Sequence, residues 1–175
     1  MSLPEIQFDL QEMTERLLKT LEPNMLQIVT YSTLMLRHMC ESPIEVALGA
    51  SFLVSDRLYY LRPNMGVTLA WASDEKSYRE DAVLLIPQFP WKGYRIDFAL
   101  RLPRYRFGYM FIECDGHDFH ERTKEQAARD RAKDRLIQQA GYPILRFTGS
   151  EIHRNAGNCA DQIFDFVNER TDIKA

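Results

Sequence analysis

The sequence predicts an α/β protein in which helices flank a mixed β-sheet. Three short apolar runs follow one another closely between residues 82 and 114, and such short connections predict an antiparallel meander. A helix-forming segment then separates the third run from a fourth at residues 142–147. A strand, a helix and another strand form a right-handed crossover with parallel strands, so the sheet should contain both kinds of pair.

Helices are predicted at the start of the chain. Apolar residues at helical spacing occupy positions 10–21, Pro23 interrupts the pattern, and a mostly apolar segment covers residues 25–39. We expect residues 1–41 to form a helical extension packed on the core. Residues 42–175 should then form the main domain.

A further helix should begin at Ser42. Ser42 stands at the N-cap, Pro43 at the first helical position and Glu45 at the third, which is the pattern of a capping box. Apolar residues follow at core spacing, including Leu48 and Phe52. Residues 56–81 are polar and irregular, and they predict no regular element.

The three strands of the meander are delimited by turn residues. AVLLIPQF at residues 82–89 and YRIDFALRL at 94–102 are separated by Pro-Trp-Lys-Gly. FGYMFIEC at residues 107–114 follows the second turn, Pro-Arg-Tyr-Arg. The second and third strands should therefore lie side by side.

The last part of the chain predicts a helix, a strand and a closing helix. Residues 124–140 are rich in helix formers, and Gly141 is a suitable C-terminal stop. YPILRF at 142–147 should pair in parallel with the third meander strand. Hydroxyl caps at residues 148–151 precede the closing helix. Its core positions are Ile163, Phe164 and Val167.

Composition limits the class of protein. The chain has 175 residues, 45% of them hydrophobic, which suits one globular domain, and its net charge of -3 lacks the basic excess of a general nucleic-acid binder. Charge is nevertheless segregated, because residues 92–106 carry five cations against Asp97 alone. Three cysteines without framework spacing, no signal-like N-terminus and no long apolar run predict a reduced, cytoplasmic protein without a membrane span.

Two carboxylates at the end of the third strand predict a chemical role. Glu113 and Asp115 are two residues apart and so share one face of the strand. Asp97 on the preceding strand should lie opposite a residue near Phe111 or Glu113, on a strand ~4.8 Å away. An ordinary turn or nearby basic side chains would also explain the pair. Otherwise the like charges raise one another's pKa, and Glu113→Gln would relieve repulsion in the metal-free protein. Oxygen ligands in this number suit Mg²⁺ or Mn²⁺.

The order of these motifs resembles the PD-(D/E)xK nuclease superfamily. A helix carrying Glu45, a strand, the YRIDF strand, the IECDG strand, a charged helix and the GYPILRFTGSEI segment follow one another as in its αβββαβ core. More narrowly, the chain is similar to the very-short-patch-repair-like endonuclease group over residues 42–168. The resemblance implies a restriction-endonuclease-like fold and metal-dependent cleavage of DNA.

The resemblance also implies roles for the strand carboxylates. It makes Asp97 the metal ligand of the second strand and Glu113 that of the third. The lysine that normally follows in this motif is replaced by Asp115. Asp115 is therefore expected to be a further ligand or to hold a water molecule of the metal.

Other candidates surround this centre. Lys124 could replace the missing lysine, with His117 and His120 as competing proton-transfer groups, although a lysine at a helix start is commonly solvated. Glu45 either completes the capping box or reaches the metal, two demands that compete for one carboxylate. Gln88 matches a family position beside the site, and its alternative is a polar residue at a strand end.

Two further sets of residues have competing interpretations. Cysteine and histidine could form a zinc site, but strand alternation turns Cys114 away from Glu113, and a buried thiol is favoured. The basic side chains of the charged helix, Arg129 among them, could form a solvated face with i,i+4 pairs, or part of them could bind phosphate together with the basic residues of the meander. The first set is Cys114, His117, His120 and Cys159, and the second is Arg95, Arg101, Arg104 and Arg129.

The sequence thus predicts a Mg²⁺- or Mn²⁺-dependent DNA endonuclease with DNA as its partner. A homodimer or a partner subunit remains an open alternative to a monomer. The competing function is a binding module that keeps the nuclease fold without hydrolysis, since a fold alone does not imply an activity.

Overall fold

The computed structural model of the protein describes residues 25–58, 65–103, 105–106, 108–116 and 124–170. The predicted α/β class with a mixed sheet flanked by helices is confirmed, and the arrangement is consistent with a restriction-endonuclease-like core. In chain order the elements are α1 (residues 25–37), α2 (Pro43–Leu58), β1 (Thr68–Leu69), a 3₁₀ helix (Ala72–Ser77), β2 (Leu84–Trp91), β3 (Tyr94–Arg101), β4 (Tyr109–Asp115), α3 (Lys124–Ala140), β5 (Ile144–Thr148) and α4 (Gly149–Arg170).

The sheet has the order β1-β2-β3-β4-β5. β2 and β4 each pair antiparallel with β3, so the predicted meander is confirmed. The crossover through α3 is confirmed as well, because β4 and β5 are parallel. β1 was not predicted: it is a two-residue strand that pairs in parallel with β2, too short to show a periodic pattern.

The β2–β3 hairpin ends in a tight turn and contains one unusual residue. Lys92 and Gly93 both have positive φ, 46° and 79°, between the paired residues Trp91 and Tyr94. This is the backbone twist that two-residue hairpin turns favour. Gln88 has a φ of 52°, and the flanking register places it opposite Asp97. A non-glycine residue in this region is strained, typically at a functional position.

Helices cover both faces of the sheet. α2 and α4 pack on one face, where Phe52 stacks on Phe164 with ring centroids 4.6 Å apart. α3 covers the other face, where Ile137 is buried against Phe111. Ile163, Phe164 and Val167 are all buried, as their spacing predicted.

Three further predictions concern the end of α3, the N-terminal extension and a membrane span. α3 ends as predicted at Gly141, whose φ is 73°. Leu36 of α1 is buried in the core with α2, but residues 1–24 lie outside the described residues, so the extent of an N-terminal extension remains a prediction. Within the described chain, no helix has the length and apolar character needed to cross a membrane.

Candidate active site

Asp97 and Glu113 lie next to each other on adjacent strands. β3 and β4 pair Phe98 with Ile112, so continuing the antiparallel register places Asp97 opposite Glu113. Side chains at directly opposite positions share one face of the sheet. The Cys114 N–H donates to Asp97 Oδ2 at 2.7 Å, which holds the Asp97 carboxylate at the end of β4.

A lysine from α3 reaches the Glu113 carboxylate. Lys133 Nζ donates to Glu113 Oε2 at 2.6 Å, and the two side chains are only 12% and 6% exposed. Lys133 precedes the buried Ile137 by four residues, so both lie on the sheet-facing side of α3. Glu113 Oε1 is buried and has no hydrogen-bond partner among the residues that the structure describes. One carboxylate oxygen is therefore occupied by a cation, and the other is unpaired within that part of the chain.

Arg146 of β5 bridges the two acidic residues of β4. Its Nη1 lies 3.8 Å from Glu113 Oε2 and 3.4 Å from Asp115 Oδ1, which places both acids on one face of the strand. Its Nη2 pairs with Asp134 of α3. The neutralising cations that the sequence left as an alternative are thus present around Glu113 and Asp115.

The surroundings of the two facing carboxylates shift their pKa values. Burial, followed by the charge of Glu113, raises the pKa of Asp97 to about 7. Burial also raises the pKa of Glu113, while the Lys133 ammonium and the Arg146 guanidinium lower it. Within the described part of the chain Asp97 forms no ion pair, so its charge is the less compensated of the two.

Glu45 caps the start of α2, and a role at a metal stays a prediction. Its backbone N–H donates to Ser42 Oγ at 3.4 Å, and its side chain accepts from Ser42 Oγ at 2.6 Å and from the Glu41 N–H at 3.0 Å, so the predicted capping arrangement is present with Glu41 as the second backbone donor. Gln88 Nε2 donates to its Oε2 at 2.6 Å, and its charge contributes to the raised pKa of Asp97. The carboxylate of Glu45 therefore caps α2 and lies within electrostatic reach of Asp97.

The donor set fits a hard cation better than zinc. Among the described residues no three histidine, cysteine, aspartate or glutamate side chains converge on one point. Mg²⁺ does not need such a cage, because it commonly takes one or two carboxylates, water and substrate phosphates. Glu113 Oε1 offers an unpaired buried oxygen beside Asp97. For the zinc alternative, Cys114 packs into the core on the α2 side, and both histidines lie outside the described residues.

The remaining predicted residues have varied positions. Lys124 is the first residue of α3, but its side chain, His117, His120 and Arg104 all lie outside what the structure describes. Arg95 is exposed and pairs with Glu41. The roles predicted for these residues in proton transfer and phosphate binding remain predictions from the sequence.

Arg129 and Arg101 have contrasting surroundings. The Arg129 guanidinium lies over the Tyr94 ring, 5.8 Å from its centroid, on the same side of α3 as Lys133. Arg101 instead donates to the carbonyls of Arg79 at 2.7 Å and Ala82 at 3.1 Å. Its hydrogen bonds hold the segment before β2, whereas the Arg129 side chain is exposed.

Lys133 and Arg146 were not singled out from the sequence. Lys133 looked like one of many charges on a solvated helix, but its i,i+4 spacing to Ile137 is the signal that turns it towards the sheet. Arg146 could have been found from the parallel pairing of β5 with β4, which sets it beside Glu113. Both required the three-dimensional arrangement to be recognised as site residues.

The comparisons with known proteins agree with this geometry at the level of the family. The family model REase_MTES_1575 matches residues 76–167, more than half of the 175-residue chain. The chain belongs to this restriction-endonuclease-like family. The family segment contains Gln88, Asp97, Glu113 and Lys133, whereas Glu45 precedes it. No curated protein and no solved structure matched the chain.

Proposed function

We propose that this restriction-endonuclease-like protein is a metal-dependent DNA endonuclease that hydrolyses phosphodiester bonds. The observation that carries the proposal is the pair of facing acids Asp97 and Glu113, with Lys133 on one Glu113 oxygen and the other left unpaired. The pair lies inside the segment that matches the nuclease family. The finer resemblance to very-short-patch-repair-like endonucleases is part of the proposal.

Asp97 and Glu113 would hold Mg²⁺ or Mn²⁺, with Asp115 and Glu45 as neighbouring oxygen donors. When bound, such an ion lowers the pKa of water and offsets negative charge on a phosphate. The carboxylates of the protein supply the opposite charge, and the Cys114 N–H keeps Asp97 oriented. Gln88, strained and bonded to Glu45, would position that carboxylate beside the pair.

Lys133 would take the place of the motif lysine that Asp115 replaces. Its ammonium already lies at Glu113, so a short movement would bring it to a water molecule or to a phosphate oxygen next to that carboxylate. In hydrolysis the water oxygen forms a new bond to phosphorus, the bond to the leaving nucleoside oxygen breaks, and that oxygen takes up a proton. An ammonium at this position stabilises the added negative charge.

DNA would approach along the side of α3 that carries Arg129 and Lys133. These cations are four residues apart on one helix face, and Tyr94 holds the Arg129 guanidinium by a cation–π contact. Arg95 adds an exposed positive charge at the same end of β3. Because the net charge of the chain is -3, we expect modest affinity that decreases with salt.

The test is cleavage of supercoiled plasmid and of oligonucleotides with Mg²⁺, with Mn²⁺ and with EDTA. Wild type should cleave only with metal, and Glu113→Gln and Asp97→Asn should each lose cleavage while remaining folded. Asp81→Asn is the matched control, since Asp81 is an exposed acid paired with Arg79 before β2. Cleavage by Glu113→Gln at the wild-type rate would reduce Glu113 to a structural residue.

A second candidate is a nucleic-acid binding module without hydrolysis. It is favoured by one observation: Lys133 and Arg146 already neutralise Glu113 and Asp115 without a metal ion. Under this alternative, wild type would cleave none of a set of single-stranded, nicked, mismatched and paired DNAs. It would also show no rise in thermal midpoint with Mg²⁺ or Mn²⁺.

A further inference from the structure

A cavity of about 320 Å³ lies at the junction of α1 and α2. Ligand cavities in proteins begin at about 300 Å³, so this one has the size for one small aromatic group rather than for a large ligand. Its lining includes Thr33 and Arg37 from α1, Cys40 and Glu41 from the connecting loop, and Pro43 and Val46 from α2.

The cavity adjoins the candidate active site through a short chain of hydrogen bonds. The backbone N–H of Glu41, a lining residue, donates to Glu45 Oε2 at 3.0 Å. The same Glu45 oxygen accepts from Gln88, which lies opposite Asp97. Cys40, another lining residue, is near enough for the charges of Glu45 and Asp97 to act on its thiol. The cavity is thus linked to Asp97 through Glu45 and Gln88.

The lining combines apolar walls with a few polar groups. Pro43 and Val46 are apolar, and burial together with nearby carboxylates raises the pKa of Cys40 to about 12, so its thiol is neutral at pH 7. Thr33 supplies a hydroxyl. Arg37 is exposed, and within the described chain its guanidinium forms no ion pair. Glu41 and Ser42 add a carboxylate and a second hydroxyl to the lining. Apolar walls with several hydrogen-bonding side chains and one cation that is unpaired within the described chain suit an aromatic heterocycle attached to a phosphate.

We propose that this cavity is a subsite for a nucleobase of the substrate strand, next to the phosphate held at Asp97 and Glu113. This proposal rests on the proposed function. A base that remains stacked in a duplex cannot enter a cavity, so the preferred substrate would carry an unpaired or extrahelical nucleotide near the cleaved bond. Arg37 would contact the adjoining phosphate from the rim.

The test compares two fluorescein-labelled duplexes by anisotropy, with Ca²⁺ in place of Mg²⁺. One is fully paired, and the other has a base opposite an abasic site. Wild type should bind the second about tenfold more tightly, the size of effect expected from one stacked or hydrogen-bonded base. Val46→Trp, which fills the cavity, should abolish the preference, and Thr33→Phe is a second filling variant in case the first does not fold.

Charge and accessibility supply two further comparisons. Arg37→Ala should reduce the preference for the unpaired duplex. Arg79→Ala should leave that preference unchanged, because Arg79 is an exposed arginine that precedes the first residue of β2 and does not line the cavity. Alkylation of Cys40 by iodoacetamide is measured by peptide mass spectrometry at about pH 9 over long reaction times, because only the small thiolate fraction of this thiol reacts. The unpaired duplex should slow this alkylation, and the paired duplex should not. A preference that survives both filling variants, or alkylation of Cys40 at an unchanged rate, overturns the proposal.

The failure of this subsite and the failure of the proposed function give different results. Metal-dependent cleavage that is lost in Glu113→Gln, together with equal affinity for both duplexes, removes the subsite and keeps the endonuclease. No cleavage by wild type, together with a preference that Val46→Trp abolishes, removes the endonuclease and keeps a nucleobase site.

Discussion

Removing the ammonium that Glu113 contacts should destabilise the metal-free protein in a pH-dependent way. Lys133→Met keeps an unbranched side chain of good helix propensity but leaves Glu113, 6% exposed, with only Arg146 at 3.8 Å. The buried carboxylate can then stay ionised at a high cost or take up a proton. Protonation sets an upper limit on this cost, because the free energy of adding the proton depends only on the pH and on the pKa of Glu113 in the unfolded chain.

The magnitude follows from that limit. With an ordinary pKa of 4.5 for Glu113, protonation at pH 7 costs 1.36 × (7 − 4.5), about 3.4 kcal/mol. Burial already raises the pKa of Glu113 in wild type, and the Arg146 contact remains in the variant, so 3.4 kcal/mol is an upper limit and we expect a loss of roughly 1 to 2 kcal/mol at pH 7. In the variant the folded pKa of Glu113 lies above the unfolded one, so the unfolded state loses its proton first. The loss is therefore absent near pH 4 and grows as the pH rises above the pKa that Glu113 has in wild type, which itself lies above 4.5.

The assay is urea denaturation in EDTA at pH 4 to 8 for wild type, Lys133→Met, Glu113→Gln and the double variant. Glu113→Gln should recover most of the stability lost in Lys133→Met, because it removes the unpaired charge. Arg131→Met is the matched control, since Arg131 is exposed on the same helix. A loss in Lys133→Met that is independent of pH, or below about 0.5 kcal/mol at pH 7, the range of ordinary surface substitutions, would refute the role of the contact.

Three further outcomes are expected. Asp97→Asn should stabilise the metal-free protein above pH 7 by up to 1.36 × (7 − 3.8), about 4 kcal/mol, and should have no effect near pH 4. The reason is that the raised pKa of Asp97 makes its ionisation in the folded state unfavourable as the pH rises from 3.8 to 7. Thermal melts in EDTA that show destabilisation at pH 8 would contradict this. Gln88→Ala should be less stable than Gln88→Gly by about 1 kcal/mol, because only glycine relieves the positive φ; equal thermal midpoints would mean no backbone strain. Arg129→Ala should lower the salt slope of DNA binding by about one unit and Tyr94→Leu by less, and an unchanged slope would place Arg129 away from the phosphates.

Whether a neutralising substitution at Glu113 or at Asp97 stabilises the metal-free protein cannot be predicted from local sequence patterns. Repulsion among the strand carboxylates predicts that Glu113→Gln stabilises the metal-free protein. The contact with Lys133 reduces the expected gain for Glu113, whose pKa is still raised by burial, while Asp97 forms no such ion pair within the described chain. Local alternation predicted which acids share a face, but it contains no information about which cation a distant helix brings to them.

The basic residues illustrate the same limit. Arg101 and Arg129 look equivalent as exposed cations near a predicted site. The folded chain places the Arg101 guanidinium on the carbonyls of Arg79 and Ala82, and it places Arg129 over Tyr94. Their difference depends on contacts between residues 19 or more positions apart, which no local pattern reports.

The sequence by itself determined the α/β class, the meander, the crossover, the capping box at Ser42 and the shared face of Glu113 and Asp115. Each depends on a period of 2 or 3.6 residues or on a turn residue, and such signals are local. Only the tertiary structure decided that Lys133 and Arg146 compensate the β4 acids, that Gln88 adopts a positive φ opposite Asp97, and that a cavity adjoins Glu45. The physical reason is that these contacts join side chains from separate elements, whose register and packing arise only when the whole core is assembled.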